Sequence, residues 1–106
     1  MKLLQTACSI AAFVAAGQAL ADEVLAERSG CIECHAARQK GIGPSFGDIA
    51  SKYKGDSRAR ATLIETVKKG GKGNWTAVTA GVPMPPYSGR LTDAEIQLLV
   101  DWVLRL

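Results

Sequence analysis

Two thiols three residues apart, with an imidazole next in line, constrain this chain more than any other feature: Cys31-Ile32-Glu33-Cys34-His35. On a helical turn, residues three apart share a face. Cys31 and Cys34 can therefore form thioethers to two vinyl groups along one edge of a haem. His35 then stands over the iron as an axial ligand. A dithiol redox site and half of a zinc site are the competing uses of C-x-x-C. The first wants a βαβ setting, and no strand pattern surrounds the motif. The second wants four ligands, yet the remaining cysteine is Cys8 and His35 is the sole histidine. The spacing points to covalent haem.

The chain of 106 residues is long enough for one domain. Its first stretch reads as something else. Lys2 gives a short positive start, Leu3 to Leu20 is apolar and rich in small residues, and Ala19-Leu20-Ala21 fits a small-x-small cleavage site. Residues 1–21 are expected to be a cleaved secretory signal peptide rather than a retained anchor, because polar breaks interrupt the run. Cys8 falls inside it. Residues 22–106 then form the folded domain, roughly 85 residues, small for a self-sufficient core. A buried haem supplies much of the missing apolar area. The formal charge of +3 falls to about +2 with Lys2 removed. No basic run with interleaved aromatics points to nucleic acid.

Helical signals dominate the rest. Asp22 to about Gly30 reads as a helix whose acidic start suits the dipole, with Val24, Leu25 and Ala26 on its apolar face. Gly30, just before Cys31, is expected to make a close contact with another helix. Ala36 to Gly47 reads as a loop able to wrap one side of a flat cofactor. Phe46, Ile49, Ala50 and Tyr53 mark a short amphipathic helix ending near Gly55. Asp56 or Ser57 is placed to cap the next helix, with Ala59, Leu63, Ile64 and Val67 as its apolar stripe. Gly71 to Gly89 shows little regular structure, but Trp75, Val82, Met84 and Tyr87 make it too apolar for disorder; it reads as a loop packed on a ligand. Thr92-Asp93-Ala94-Glu95 is a capping box with Leu91 and Ile96 as a staple. Ile96, Leu99, Val100 and Val103 mark the buried face of the last helix, with Trp102 at its edge.

A low-spin haem needs a second axial ligand. Met1 leaves with the leader, so Met84 is the remaining thioether; lysines and tyrosines are the other candidates. A lone methionine is ordinarily a core filler. Here it sits in Val82-Pro83-Met84-Pro85-Pro86, where prolines restrict the loop and remove backbone donors. Paired with the haem motif, Met84 is read as the second ligand. Met/His ligation raises the reduction potential.

Taken together, Ser29-Gly30-Cys31-Ile32-Glu33-Cys34-His35, Gly43-Pro44, Gly73-Asn74-Trp75, Pro83-Met84-Pro85-Pro86 and the last helix through Trp102-Val103-Leu104 resemble a short bacterial monohaem class I cytochrome c, in order and nearly end to end. The resemblance implies an all-α fold of four to five short helices round one haem c, with the first and last helices crossing at Gly30. It implies that the Pro44 carbonyl accepts the second ring N–H of His35, and that the Trp75 indole bonds a haem propionate. Many relatives carry a basic residue where this chain has Thr66; Lys68, Lys69 or Lys72 could substitute.

The expected function is that of a periplasmic single-electron carrier with no enzymatic activity and no substrate at the metal. It would be monomeric, without stable membrane insertion once the leader is gone. Its partners would be transient redox proteins: a respiratory donor complex and a terminal reductase or oxidase. Lys40 and Lys72 either steer acidic partners to the haem edge or are solvated surface charges. The alternative is a haem-bearing subunit of a larger periplasmic oxidoreductase.

Overall fold

The computed structural model describes residues 17–106. Met1, Cys8 and most of the expected leader lie outside them. Residues 17–28 are helical (α1), and a 3-10 turn covers Cys31–Glu33. Then follow α2 (Phe46–Lys52), α3 (Ala59–Lys69), α4 (Thr76–Thr79) and α5 (Asp93–Leu104). Among the described residues there is no sheet, only isolated bridges, and no helix is long and apolar enough to cross a membrane.

Helix α5 is the centre of the packing, because both α2 and α3 lie against it. Its start follows from the capping box. Thr92 Oγ1 accepts from the Glu95 amide at 3.1 Å, and Glu95 Oε1 accepts from the Thr92 amide at 3.0 Å. Two of the amides that a helix start leaves unpaired are thereby satisfied. Ile96, Leu99, Val100 and Trp102 are buried along it. Trp102 is thus part of the core face rather than its edge, while Val103 is half-buried. Leu99 and Trp102 join Ala26 of α1 and Phe46 and Ile49 of α2 in one apolar cluster. Full burial of the leucine, isoleucine and phenylalanine side chains among them is worth about 1.5–3 kcal/mol each.

The first helix differs from the expectation in two ways. With residues 17–21 present it runs back beyond Asp22 to Gly17, so Asp22 stands in its first turn only once residues 1–21 are removed. Its carboxylate is buried and accepts from Gln18 Nε2 at 3.2 Å and from Arg105 Nη2 at 3.0 Å. That ion pair fastens α1 to the end of α5. Gly30 is also not at a helix crossing. A Cβ placed there would meet only the Glu33 side chain, at 3.8 Å or more. Its φ of 80° is the reason for glycine: the chain needs a left-handed residue to turn from α1 into Cys31.

Helix α2 starts at Ser45, whose buried hydroxyl accepts from the Asp48 amide at 3.0 Å. Phe46, Ile49 and Ala50 are its buried residues, as their spacing suggests, but the helix ends at Lys52, earlier than Gly55. Helix α3 has no side-chain cap on its own N-cap residue, Arg58. Asp56, two residues before it, acts instead, accepting from the Arg58 amide at 2.8 Å. Across the outer face, Arg60 forks onto both carboxylate oxygens of Asp101, at 2.8 and 3.3 Å, tying α3 to α5. The stretch from Gly71 to Gly89 is more ordered than a loop, since it contains α4, closed by Ala80 in the left-handed region. Thr76, Ala77 and Thr79 carry no helical stripe, which is why periodicity does not reveal it.

Candidate functional site

The 3-10 turn sets the geometry of the site. The His35 amide donates to the Cys31 carbonyl at 2.9 Å, so the two cysteines and the histidine occupy one tight turn. Both thiols are unbridged and half-buried. Burial pushes the Cys31 thiol up from its ordinary value, and the nearby Cys34 adds to the rise against a backbone hydrogen bond that lowers it.

Three neighbours hold His35. Its Nδ1 lies 2.7 Å from the Pro44 carbonyl oxygen. A carbonyl only accepts, so Nδ1 carries the proton and Nε2 keeps its lone pair for a metal. Phe46 stacks on the ring, with centroids 5.3 Å apart and planes inclined by 22°. Trp102 meets Phe46 edge-on at 5.3 Å, carrying the support back to α5. The backbone of Gly43 closes in on the imidazole as well. The loop holding Gly43 and Pro44 is itself bonded to the turn: Gly43 donates to the Cys34 carbonyl at 2.8 Å, and Phe46 to that of Ala36 at 2.7 Å.

Met84 sits on a strap of residues 83–88. Pro83, Pro85 and Pro86 have no N–H, which leaves three amides in the strap, and all three are used. Met84 donates to Gly71 at 2.9 Å, Tyr87 to Val67 at 3.0 Å and Ser88 to Lys68 at 3.1 Å. Gly71 returns a bond to the Met84 carbonyl at 2.9 Å. The acceptors Val67 and Lys68 are carbonyls at the end of α3, which a helix leaves unpaired. The strap therefore caps α3 while α3 fixes the strap.

Cys31, Cys34, His35, Pro44, Trp75 and Met84 all line one cavity of about 480 Å³. Leu63, Val67, Leu99 and Trp102 contribute apolar walls. The size is that of a small-molecule cofactor site. Among the described residues, no cluster of three or more His, Cys, Asp or Glu side chains is assembled, so a zinc centre has no ligand set. The donor set is that of a haem: two thiols beside one imidazole nitrogen, and a thioether in the same apolar cavity.

Other sequence candidates resolve differently. Trp75 is half-buried at the cavity, and the Lys52 ammonium lies 4.3 Å from its ring centroid. Thr66 also lines the cavity, but its hydroxyl bonds back to the Thr62 carbonyl at 2.9 Å. Lys68 pairs with Asp93 at 3.4 Å and Lys69 with Glu65 at 3.1 Å. Of the three lysines that could replace a basic residue at Thr66, Lys72 alone lines the cavity. Ile42 and Val82 line it too, while being about half exposed.

Tyr87, which the sequence marks only as an apolar residue of the ligand loop and as one of the alternative ligand candidates, joins the site through a hydrogen bond. Tyr87 is buried and lines the cavity, and its hydroxyl donates to the Ser29 carbonyl at 3.1 Å. Its signal in the sequence is weak: an aromatic residue directly after the proline run.

Comparison with known proteins agrees with this geometry. The family model for cytochrome c matches residues 14–106. Cytochrome c-551 of Allochromatium vinosum is 44% identical over 95 residues, covering 90% of this chain and 96% of that protein. The crystal structure of wild-type Nitrosomonas europaea cytochrome c552 superposes with a TM-score of 0.69 at 36% identity, over 78% of this chain and 96% of that one. A class 1 cytochrome from Sideroxydans lithotrophicus ES-1 gives a TM-score of 0.66 at 30% identity, over 80% and 91% of the two chains. With helices wrapped round one apolar cavity and a C-x-x-C-H turn in its wall, the chain belongs to the cytochrome c family, as a small monohaem class I member and haem-based electron carrier with one covalently attached c-type haem.

Proposed function

We propose that this chain is a periplasmic single-electron carrier, not an enzyme, with Cys31 and Cys34 as the thioether residues and His35 and Met84 as the axial ligands. The observation that carries the reading is the convergence of these four side chains on one cavity, with Nδ1 of His35 engaged by Pro44 and Nε2 left free.

Bound haem supplies a ferric/ferrous couple. The protein's part is to hold both ligands while the charge changes. His35 is oriented by the Pro44 carbonyl and by Phe46, and a bond at Nδ1 raises the basicity of Nε2. Met84 is presented by a strap whose every available amide is bonded. A thioether ligand favours the reduced state and raises the potential. Apolar walls limit water at the cavity, and the half-exposed Ile42 and Val82 provide a rim for brief contact with redox partners. Trp75 is assigned to a propionate, with Lys52 and Lys72 as nearby cations. Residues 1–21 act as an export leader and are removed, which delivers the chain to the compartment where thioethers are made. A respiratory complex as donor and a terminal reductase or oxidase as acceptor complete the pathway, with the chain working as a monomer.

The test is the optical spectrum of the exported protein, oxidised and then reduced. A weak far-red ferric band that vanishes on reduction, with a low-spin ferrous spectrum indifferent to carbon monoxide, is the expected result. A high-spin spectrum or rapid carbon monoxide binding overturns Met84 as ligand and the carrier function with it.

A further inference from the structure

Tyr87 joins the two segments that carry the candidate ligands. It lies three residues after Met84, and its hydroxyl reaches Ser29, two residues before Cys31 and 58 residues away in sequence. Both ends of this link are fixed. The Ser29 amide donates to the Leu25 carbonyl at 3.0 Å and its hydroxyl to the same oxygen at 2.6 Å, which locks residue 29 onto the end of α1. The Ser29 carbonyl has no helical partner of its own, and the phenol supplies one. At the other end the Tyr87 amide is bonded to Val67 of α3, and its carbonyl accepts from Arg90 and Leu91 at 2.9 and 3.1 Å. Tyr87 is 7% exposed, with the Arg90 guanidinium 5.5 Å from its ring centroid. Burial pushes the phenol up from its ordinary value, so it stays a neutral donor through the physiological range.

We propose that Tyr87 is a positioning residue for the axial thioether: by tying the Met84 strap to the end of α1, it sets the spacing between the strap and the attachment turn and holds Met84 against displacement. Without the hydroxyl, the strap remains bonded to α3 but loses its one side-chain bond across the cavity to the cysteine-bearing side. The cost then appears in the equilibrium that moves the strap away.

This inference rests on Met84 as the ligand. Its test uses the ferric holoprotein and imidazole as a competing ligand, followed by loss of the far-red thioether band, together with denaturant unfolding. Tyr87→Phe keeps the ring and removes one hydrogen bond. It should tighten imidazole binding by about three- to tenfold, the effect of one such bond. Ile96→Val is the control: Ile96 is fully buried in α5 and does not line the cavity. It should lower unfolding stability to a similar degree and leave imidazole affinity at the parental value. If Tyr87→Phe lowers stability but leaves imidazole affinity unchanged, or if both variants shift it equally, Tyr87 is only a helix cap and the proposal fails. Absence of the far-red band in the parent protein instead removes Met84 as ligand, and the positioning role with it.

Discussion

Gly43 lies so close to the imidazole of His35 that a Cβ at this position would stand 2.8 Å from Cε1, 3.0 Å from Nδ1 and 3.3 Å from Nε2. The residue is not at a positive φ; the space belongs to the ring. Gly43→Ala should therefore push the imidazole out of line with Pro44. We expect a loss of about 1–3 kcal/mol from crowding and a higher midpoint potential, because a less basic histidine stabilises the ferric state less. Denaturant unfolding and redox titration of the holoprotein check the two effects separately, and parental values in both would show that the ring has room to give.

Gly70 is more restrictive. It has φ 68° and ψ −165°, a region open essentially to glycine alone. A Cβ here would run into the Met84 carbonyl oxygen, with Pro86 N at 2.8 Å and Pro85 C at 2.9 Å. These are backbone atoms and cannot rotate away. Gly70→Ala should cost about 3 kcal/mol or more and release the strap, so that the ferric protein binds added imidazole far more tightly. A variant with parental stability would contradict the close packing of α3's end on the strap.

The capping box of α5 yields a prediction with a pH signature. Thr92→Ala should cost about 1 kcal/mol, measured by denaturant unfolding at neutral pH. Glu95 is held below the ordinary carboxylate value, first by the Thr92 backbone amide and then by the Thr92 hydroxyl. Between the two values, the unfolded chain binds the proton and the folded protein does not. The contribution is thus complete above the ordinary glutamate pKa and is lost as pH falls through the lower, folded value. Glu95→Gln should flatten that acidic limb of the stability curve. An unchanged limb would place the titration elsewhere.

Substitution of the proposed ligands separates attachment from coordination. Met84→Ala should lower the midpoint potential and admit carbon monoxide to the ferrous protein. Cys31→Ala or Cys34→Ala should instead leave haem that denaturing extraction partly or wholly removes. If each single cysteine variant kept two thioethers by mass, the assignment of the pair would be wrong.

Mass spectrometry of the exported protein decides the leader. The expected mass begins at Asp22. A mass that includes residues 1–21 would mean a retained segment, and α1 would then keep the Gln18 bond to Asp22.

Sequence reading and structure part company where interactions are distant or lack a period. The C-x-x-C-H turn and the Thr92–Glu95 box were legible because both are local and set by spacing within a few residues. The buried residues of α2 were legible for the same reason. At Gly30 a glycine can serve close contact or positive φ, and the letter does not distinguish them; the structure needs the positive φ. The Asp22–Arg105 pair spans 83 positions, beyond the reach of any local pattern. Tyr87 and Ser29 likewise meet only after the helices pack. Helix α4 is one turn long, too short to carry periodicity.

The strap of residues 83–88 has a consequence for solvent exchange. Irregular segments ordinarily take up deuterium quickly because their amides face water. Here the three amides that exist, on Met84, Tyr87 and Ser88, are all bonded to α3 or to Gly71, two residues beyond it. They should exchange as slowly as helical amides, and only through an opening that lifts the strap. Their exchange rates would then report how often the thioether side of the cavity opens, whatever the oxidation state of the iron.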